Sequence, residues 1–342
     1  MATFSKATFN ATKYAASRPH YPPALYAHVL EYASTPDRHT VLDVGCGPGL
    51  STFAFASEFD HVIGVDPSRN MVHHARDLAS ERELKGDVAT GRVRFEQGSV
   101  DQLDQVVSPN SVDLVVAAQA AHWFDPVPAY ASILSVLKPG GAFVFWGYGE
   151  ISFPARPELS ALIPPYSGGL LGPYWEQPGR SIVEHLLVPF PLPLASNFDS
   201  PPSPPSSSSS FSASASASAS ASRVCSGFDP ASLRRTFDSA NDASTAALSA
   251  AELAANVETT VRDDSLLTKR WTLDDLEGYL RTWSSLHRYE QERPPGSSSS
   301  SSSSPDVVEA LLRQLEDRGW RRGEEVEARW QVGMLMGRKK QN

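Results

Sequence analysis

The chain has 342 residues, of which 41% are hydrophobic, and a formal net charge of −9 at pH 7. This length allows a large buried core and lies at the upper end for one domain. The acidic balance argues against a nucleic-acid partner, which needs clustered Lys and Arg for its phosphates, and no apolar run approaches the ~20 residues that would span a membrane.

Cysteine usage and the N-terminus indicate the compartment. Cys46 lies in a glycine-rich turn and Cys225 in a Ser-rich stretch, and neither position suggests a disulfide. The first residues, Met1 to Ala16, lack the apolar core of a signal peptide. We therefore expect a cytoplasmic protein, with the nucleus as an alternative.

The first 150 residues predict strands that alternate with helices. The predicted strands are Thr40–Val44, Val62–Val65, Arg92–Glu96, Val112–Ala117 and Ala142–Trp146. The predicted helices are Leu50–Phe59, Ser68–Ala79 with Ser68 as its N-cap, and Pro126–Leu137. This order is typical of a parallel sheet covered by helices.

The later part of the chain is less regular. It predicts helix-forming stretches within Ser226–Asn256, a sixth strand at Val257–Val261, helices at Leu273–Tyr289 and Val307–Arg318, and a last strand at Glu325–Met336. Leu276, Tyr279, Leu280, Trp283 and Leu286 share one face of the longer helix. We expect this face to be buried.

Two segments have compositions that cannot pack. Residues 189–225 are rich in Pro, Ser and Ala, and residues 291–305 contain a run of serines. Neither offers enough apolar surface to offset the entropy of ordering, so we expect two disordered insertions. Long insertions cost little stability, so the sequence predicts a single domain over 1–342. Its parts are an N-terminal arm and helix at 1–39, a βα core at 40–150, and C-terminal helices and last strands at 226–342.

The most informative segment follows the first predicted strand. Asp43, Gly45, Gly47 and Gly49 form the pattern D-x-G-x-G-x-G, and a second strand ends at Asp66. Strand, glycine turn, helix, strand and acid is the layout of a nucleotide-binding βαβ unit. A dinucleotide fingerprint would need a glycine where Leu50 stands, which disfavours an NAD(P)-dependent oxidoreductase.

This spacing resembles motif I of the class I methyltransferases, which bind S-adenosylmethionine (SAM). The methionine end of SAM carries an ammonium, a carboxylate and a sulfonium but no phosphate, and Asp43 stands where a carboxylate would be useful. The glycines let the backbone approach the ligand. By this resemblance Asp66 would accept hydrogen bonds from both ribose hydroxyls. The alternative for Asp43 is a role as a cap of the turn or helix.

The resemblance also implies an adenine site after the third strand, at Ser99 and Val100. Many members of the family carry an acid in the position of Ser99, where it receives the adenine amino group. Its absence leaves the backbone amide of Val100 to contact the ring. Leu137 to Phe143 resembles the family's turn into the fifth strand, a structural feature.

Three further segments resemble the subgroup of trans-aconitate-methyltransferase-like proteins of fungi and bacteria, which carry a methyltransferase type 11 domain. They are Ala118 to Asp125 after the fourth strand, Tyr14 with Arg18 to Pro22, and Trp271 with Tyr279 to Ser284. The resemblance implies an α/β, Rossmann-like class I methyltransferase fold with a mostly parallel seven-stranded sheet, an antiparallel C-terminal strand and helices on both faces. It implies SAM as cofactor, a small-molecule substrate, and a monomer or weak dimer.

Within these segments, Tyr14, Arg18, Gln119 and Trp123 are candidate SAM contacts. Arg18 could pair with the methionine carboxylate, a geometry that suits a guanidinium. Trp123 could lie against SAM, and His122 could face the substrate. In the alternative interpretation, these side chains only pack the loop and the arm.

The candidate substrate contacts are Trp146, Tyr148, Trp175, Arg180 and Trp283. An arginine at position 180 would suit a carboxylate substrate, whereas the aromatic residues could equally be core. His73 and His74 are adjacent on a helix and face different ways, and no other cluster has metal-ligand spacing, so we expect no metal.

These features predict methylation of a small-molecule carboxylic acid such as a trans-aconitate-like compound. A carboxylate acceptor is already anionic and needs no base, so orientation supplies the catalysis, by roughly 7–11 kcal/mol. A lipid or secondary-metabolite hydroxyl is the first alternative, and a phenol or amine would need a base, for which His122 is the candidate. The second alternative is a non-catalytic SAM-binding regulatory protein.

Overall fold

The computed structural model describes residues 11–34, 37–198, 224–238, 257–262, 266–292 and 306–341. Most of the two predicted insertions (199–223 and 293–305) and the helix-forming residues 239–256 lie outside the described residues. None of the described helices is both long and apolar enough to cross a membrane.

The helices and strands alternate up to residue 152 and then become irregular. The strands are β1 (Thr40–Val44), β2 (His61–Asp66), β3 (Val93–Gln97), β4 (Val112–Ala118), β5 (Leu137–Ser152), β6 (Arg234–Asp238), β7 (Glu258–Arg262), β8 (Leu267–Trp271) and β9 (Val326–Arg338). The α-helices are α1 (Ala11–Ser17), α2 (Pro23–Ala33), α3 (Arg69–Lys85), α4 (Pro126–Val136), α5 (Pro157–Ser160), α6 (Gly179–Glu184), α7 (Leu273–Leu280), α8 (Ser284–Glu292) and α9 (Val307–Asp317). Short 3₁₀ or π turns occupy Thr52–Phe55, Val100–Gln105, Ala121–Trp123, Pro165–Leu170, Gly172–Tyr174, Ala195–Asn197 and Pro230–Ser232.

One mixed sheet runs through the molecule in the order β3-β2-β1-β4-β5-β9-β6-β7, with β8 also paired to β9. Strands β1 to β5 are parallel to one another, and β9 is antiparallel to β5, β6 and β8. Because β2 and β4 flank β1 on opposite sides, a crevice opens beyond the carboxyl end of β1, where such sheets bind ligands.

The core lies on both faces of this sheet. Leu42, Val115 and Phe143 pack with α4 on one face, and Val41, Leu114 and Val144 pack with α2, α3, α7 and α9 on the other. Strand β4 is buried from Val112 to Ala117, as expected for a central parallel strand. The predicted α/β, Rossmann-like methyltransferase fold with an antiparallel C-terminal strand is therefore confirmed.

The predicted helix Leu50–Phe59 is wrong, because the structure has only a 3₁₀ turn at Thr52–Phe55. Phe53, Phe55 and Phe59 are all buried. Residues two positions apart do not share a face of an α-helix. The tighter turn lets Phe53 and Phe55 both enter the core.

The predicted helix Leu273–Tyr289 is divided into α7 and α8. Its apolar face is buried as predicted, but Thr282 and Trp283 donate to the carbonyls three residues earlier and end the first helix. The Arg18 guanidinium donates to the Thr282 carbonyl (3.4 Å) at this break. The arm therefore contacts the end of α7, which local sequence could not show.

The sheet has nine strands within the described residues rather than seven. Strand β6 replaces part of a predicted helix-forming stretch, and β8 was not predicted. Arg235, in β6, is fully buried and donates to the carbonyls of Leu187, Val188 and Phe190. A buried arginine breaks the apolar pattern by which a strand is recognised.

The predicted sixth strand is present as β7. The start of the first predicted insertion is ordered, since Phe190, Leu192 and Leu194 are buried in the core. These three apolar residues were overlooked because the segment is rich in Pro, Ser and Ala.

Candidate active site

The glycine turn (residues 45–49) follows β1 and has the backbone that the motif requires. Gly45, Gly47 and Gly49 have φ of 71°, 55° and 89°, in the left-handed region that favours glycine. The amides of Gly45 (2.7 Å) and Cys46 (3.1 Å) donate to the Val65 carbonyl, which ties the turn to the end of β2.

Gly45 and Gly47 offer a matched test of this turn. A Cβ on Gly45 would lie 2.4 Å from the Ala120 Cβ, whereas a Cβ on Gly47 would meet nothing within 4 Å. Both substitutions strain a left-handed residue by about 1–2 kcal/mol, but only Gly45→Ala adds a collision. We expect Gly45→Ala to lower the free energy of unfolding and the SAM affinity more than Gly47→Ala, measured by chemical denaturation and calorimetry. Equal losses would contradict the close approach of the turn to Ala120.

Asp43 lies fully buried beneath the glycine turn. One carboxylate oxygen accepts hydrogen bonds from the Ser51 and Thr52 hydroxyls, both at 2.7 Å. Its other oxygen, Oδ1, is buried and has no hydrogen-bond partner among the described residues. Burial raises the pKa of Asp43 to about 6, although the two hydroxyls oppose this. A dry, half-satisfied carboxylate fits an incoming ammonium, as the methionine end of SAM would supply.

Asp66 ends β2 and is 9% exposed. Its two oxygens accept hydrogen bonds from the backbone amides of Gly47 (2.9 Å) and Ser68 (2.8 Å). Burial raises its pKa, against these two hydrogen bonds. The carboxylate therefore holds the glycine turn, and each oxygen has further acceptor capacity for a ribose hydroxyl.

Three adjoining cavities lie beyond the carboxyl ends of the strands. Cavity A (about 770 Å³) lies between the turn and the Gly98–Asp101 segment, cavity B (about 460 Å³) lies against the glycine turn, and cavity C (about 660 Å³) lies beneath α6 and α7. Gly45 lines both A and B, Trp123 lines both A and C, and B and C share four lining residues, Tyr14, Arg18, Gln119 and Tyr148. The three cavities therefore adjoin one another, with these residues in their shared walls.

Cavity A contains the predicted adenine contacts. Ser99 and Val100 line it, and so does Asp101, which the sequence interpretation had not selected. Trp123 is 41% exposed and forms a further wall. The acid missing at position 99 is therefore present two residues later on the same wall.

Arg18 stands where cavities B and C meet. Its guanidinium donates to the Tyr148 hydroxyl (3.1 Å), lies 4.7 Å from the Tyr14 ring centroid, and has an unpartnered, buried Nε. No carboxylate among the described residues pairs with it. An unneutralised guanidinium at this junction is suited to bind an anionic group of a ligand.

Gln119 has a positive φ of 52°, which is uncommon for a residue other than glycine. Its side-chain amide accepts from the Tyr148 amide (2.7 Å) and donates to the Tyr148 carbonyl (3.1 Å). These bonds extend the pairing of β4 and β5 through a side chain. Backbone strain of this kind is common beside ligand sites. The two hydrogen bonds hold Gln119 in the wall of cavities B and C.

Cavity C is largely aromatic. Its aromatic walls are Tyr14, His122, Trp123, Tyr148, Trp175, Tyr279 and Trp283. Arg180, which also lines it, donates to Glu150 (3.1 Å) and Glu184 (2.7 Å) and lies over the Trp175 ring at 4.3 Å. Because two carboxylates already neutralise Arg180, the predicted role of this residue as a carboxylate clamp is weakened.

His122 lines cavity C but is a poor base. Burial lowers its pKa to about 3, and the nearby Arg18 adds to this. The imidazole is therefore neutral at physiological pH and has little affinity for a proton.

One predicted substrate contact lies elsewhere. Trp146 is fully buried, lies at 5.6 Å centroid distance from Tyr21 and 6.3 Å from Tyr26, and lines none of the three cavities. Its position on β5 points it into the core, whereas Tyr148, two residues on, reaches the cavities. Cavity C also contains Glu150 and Glu176. Sequence reasoning missed Glu150 because its partner Arg180 lies 30 residues away in the chain, and no local motif marks Glu176. No group of three His, Cys, Asp or Glu among the described residues could hold a metal ion.

This fold and the glycine turn are similar to those of known methyltransferases. A family model described as a methyltransferase domain matches residues 42–145, which contain the end of β1, the glycine turn and β2 to β4. A solved structure from Anaeromyxobacter dehalogenans, a candidate type II methyltransferase, is similar over 95% of this chain and 99% of that chain, with a TM-score of 0.60 and 22% identity. At this identity the likeness shows a shared fold.

Curated relatives agree with this class. The Probable S-adenosylmethionine-dependent methyltransferase CRG1 of Saccharomyces cerevisiae is 31% identical over 177 residues, which cover 51% of this chain and 58% of that relative. Methyltransferase cfoB of Aspergillus candidus is 29% identical over 191 residues, 51% of this chain and 57% of that relative. The matches cover little more than half of these relatives. The comparisons therefore support a methyltransferase domain over residues 42–145.

Proposed function

We propose that this chain transfers a methyl group from SAM to a small molecule held in cavity C. The observation that carries the proposal is that cavities A, B and C adjoin one another and share wall residues. Cavities A and B adjoin the motif that binds SAM, and the aromatic cavity C adjoins cavity B at Arg18 and Tyr148. A donor and an acceptor can therefore meet at the junction.

Residues that line these cavities, together with Asp43 and Asp66 beside the glycine turn, which line none of the three, have the chemistry to hold the donor. Ser99, Val100 and Asp101 would hold the adenine, and Asp66 the ribose. The half-satisfied Asp43 would hold the ammonium, and the unneutralised Arg18 the methionine carboxylate. Bound SAM supplies an electrophilic methyl group on a sulfonium.

The chain contributes to the reaction by holding donor and acceptor in position and by excluding water. Tyr14 and Arg18 of the N-terminal arm cover both cavities B and C. Holding donor and acceptor in one geometry can lower the barrier by roughly 7–11 kcal/mol, and a dry site strengthens the interactions around a positive charge. The acceptor itself is the nucleophile, so this chemistry needs neither a nucleophilic side chain nor a metal.

The acceptor follows from the charges of cavity C. A carboxylic acid such as a trans-aconitate-like compound would need a free cation, but Arg180 is neutralised by Glu150 and Glu184, and Arg18 is engaged by the donor. The aromatic walls and the Glu150 carboxylate favour the second acceptor class, a hydroxyl compound. Membership of the trans-aconitate-like subgroup would favour the first.

Two measurements test the proposal. Calorimetry should show binding of SAM but not of NAD. Incubation with methyl-labelled SAM should transfer label to members of a panel of hydroxyl compounds and organic acids, and the labelled class identifies the acceptor. SAM binding without label transfer to any acceptor would favour a non-catalytic SAM-binding protein, and absence of SAM binding would refute the proposal.

A further inference from the structure

We propose that Glu150 is the general base of this reaction and that the acceptor is an aromatic hydroxyl compound. This inference rests on the methyl transfer proposed above. It assigns the proton-accepting role to a carboxylate on β5 instead of to His122.

Glu150 lies at an irregular point of the sheet. The pairing of β5 with β9 shifts register between Tyr148, opposite Val332, and Ile151, opposite Trp330. Three steps on β5 therefore match two on β9, which leaves one extra residue at Gly149–Glu150. Such bulges are frequent beside active sites. Glu150 lines cavity C at this point, as does Tyr148 two positions earlier on the same strand.

The two oxygens of Glu150 differ. Oε2 accepts hydrogen bonds from the Arg180 guanidinium (3.1 Å) and from the Ser167 hydroxyl. Oε1 has no hydrogen-bond partner among the described residues. One oxygen thus fixes the carboxylate, and the other remains able to accept a proton. A base held by a neighbouring group in this way is the arrangement that general-base catalysis requires.

Cavity C contains two other possible bases, and both are less suited. His122 has its pKa lowered to about 3 by burial. Glu176 lines the cavity, but no described residue bonds its carboxylate, so nothing holds it in one orientation. A base must stay within hydrogen-bond reach of the proton that it abstracts.

The walls of cavity C indicate an aromatic acceptor. Trp175 and Trp283 lie 5.3 Å apart, and Tyr279 lies 5.7 Å from Trp283, at ring centroids. Trp283 and Tyr279 are buried, so Trp123 and the partly exposed Trp175 offer the flat surfaces for stacking. A planar ring can fill this space while its hydroxyl donates to Glu150.

The step balances with no further reactant. The acceptor O–H bond breaks and its proton passes to Glu150 Oε1. The acceptor oxygen forms a C–O bond to the donor methyl, and the electron pair of the broken S–C bond stays on the sulfur, which becomes a neutral thioether. Protonated Glu150 then releases its proton to water.

The test uses the full chain with labelled SAM and a matched panel of aromatic rings that bear either a hydroxyl or a carboxylate. Label is expected on the hydroxyl compounds. For the best acceptor, Glu150→Gln should lower kcat by about 10²–10⁴-fold. KM should change by only a few-fold, and the calorimetric affinity for SAM should be unchanged. Glu150→Asp should restore part of kcat.

The matched control is Glu184→Gln, which removes the other carboxylate partner of Arg180 but no wall of cavity C. It should retain most of kcat, whereas a loss equal to that of Glu150→Gln would show that only the ion pair matters and overturn the inference. Label on carboxylates alone, or a loss of that size in Glu176→Gln instead, would also overturn it. If the wild type binds SAM but labels no acceptor, the proposed function itself fails.

Discussion

Asp66→Ala is expected to weaken SAM binding by at least about 100-fold. The carboxylate would accept hydrogen bonds from two ribose hydroxyls. Hydrogen bonds to charged groups contribute about 1.5–3 kcal/mol each, and every 1.4 kcal/mol changes the affinity about tenfold. Asp66 also holds the amides of Gly47 and Ser68, so its removal loosens the glycine turn. Calorimetric titration of SAM into the folded variant measures the effect.

Asp60→Ala is the matched control for this measurement. Asp60 precedes the opposite end of β2, is well exposed, and pairs with His39. Its removal should leave SAM affinity unchanged. An Asp66→Ala variant that unfolds like the wild type and still binds SAM with wild-type affinity would contradict the ribose contact.

The affinity for SAM is expected to fall below about pH 6 because of Asp43. Burial raises the pKa of this carboxyl to about 6. An ammonium binds the ionised form, so below this pH the affinity should fall up to tenfold for each pH unit. Asp43→Asn should bind weakly and show no such dependence. Titrations from pH 5 to pH 8 test this, and a flat wild-type profile would contradict the assignment.

The same shift predicts a change of stability in the ligand-free protein. A carboxyl whose pKa is higher in the folded state than in the unfolded chain destabilises the fold as pH rises. The loss begins near the ordinary pKa of aspartate, about 4, and is complete above about pH 6. Its size is about 3 kcal/mol at neutral pH. Chemical denaturation should therefore show stability falling between pH 4 and pH 6, and falling less in Asp43→Asn.

Local rules explain which parts of the site were predictable. The glycine turn needs residues that adopt positive φ, and a strand must end at Asp66 for the carboxylate to reach the turn, so spacing along the chain was sufficient. Strands β1, β2 and β4 were recognisable because each is a short, mostly apolar run. The 3₁₀ turn at Thr52–Phe55 was missed because the packing of Phe53 and Phe55 into one core overrode helix propensity.

By itself, the sequence determined the βα core and the glycine turn that resembles a SAM-binding motif, because these depend on residues that lie close together in the chain. Only the tertiary structure decided that Arg18 of the arm meets Tyr148 and Thr282. It also decided the charge of cavity C, since Arg180 meets Glu150 across 30 residues, and that Trp146 is core while Glu150 lines the cavity. Desolvation and ion pairing depend on which distant groups the fold brings together, and no local pattern encodes them.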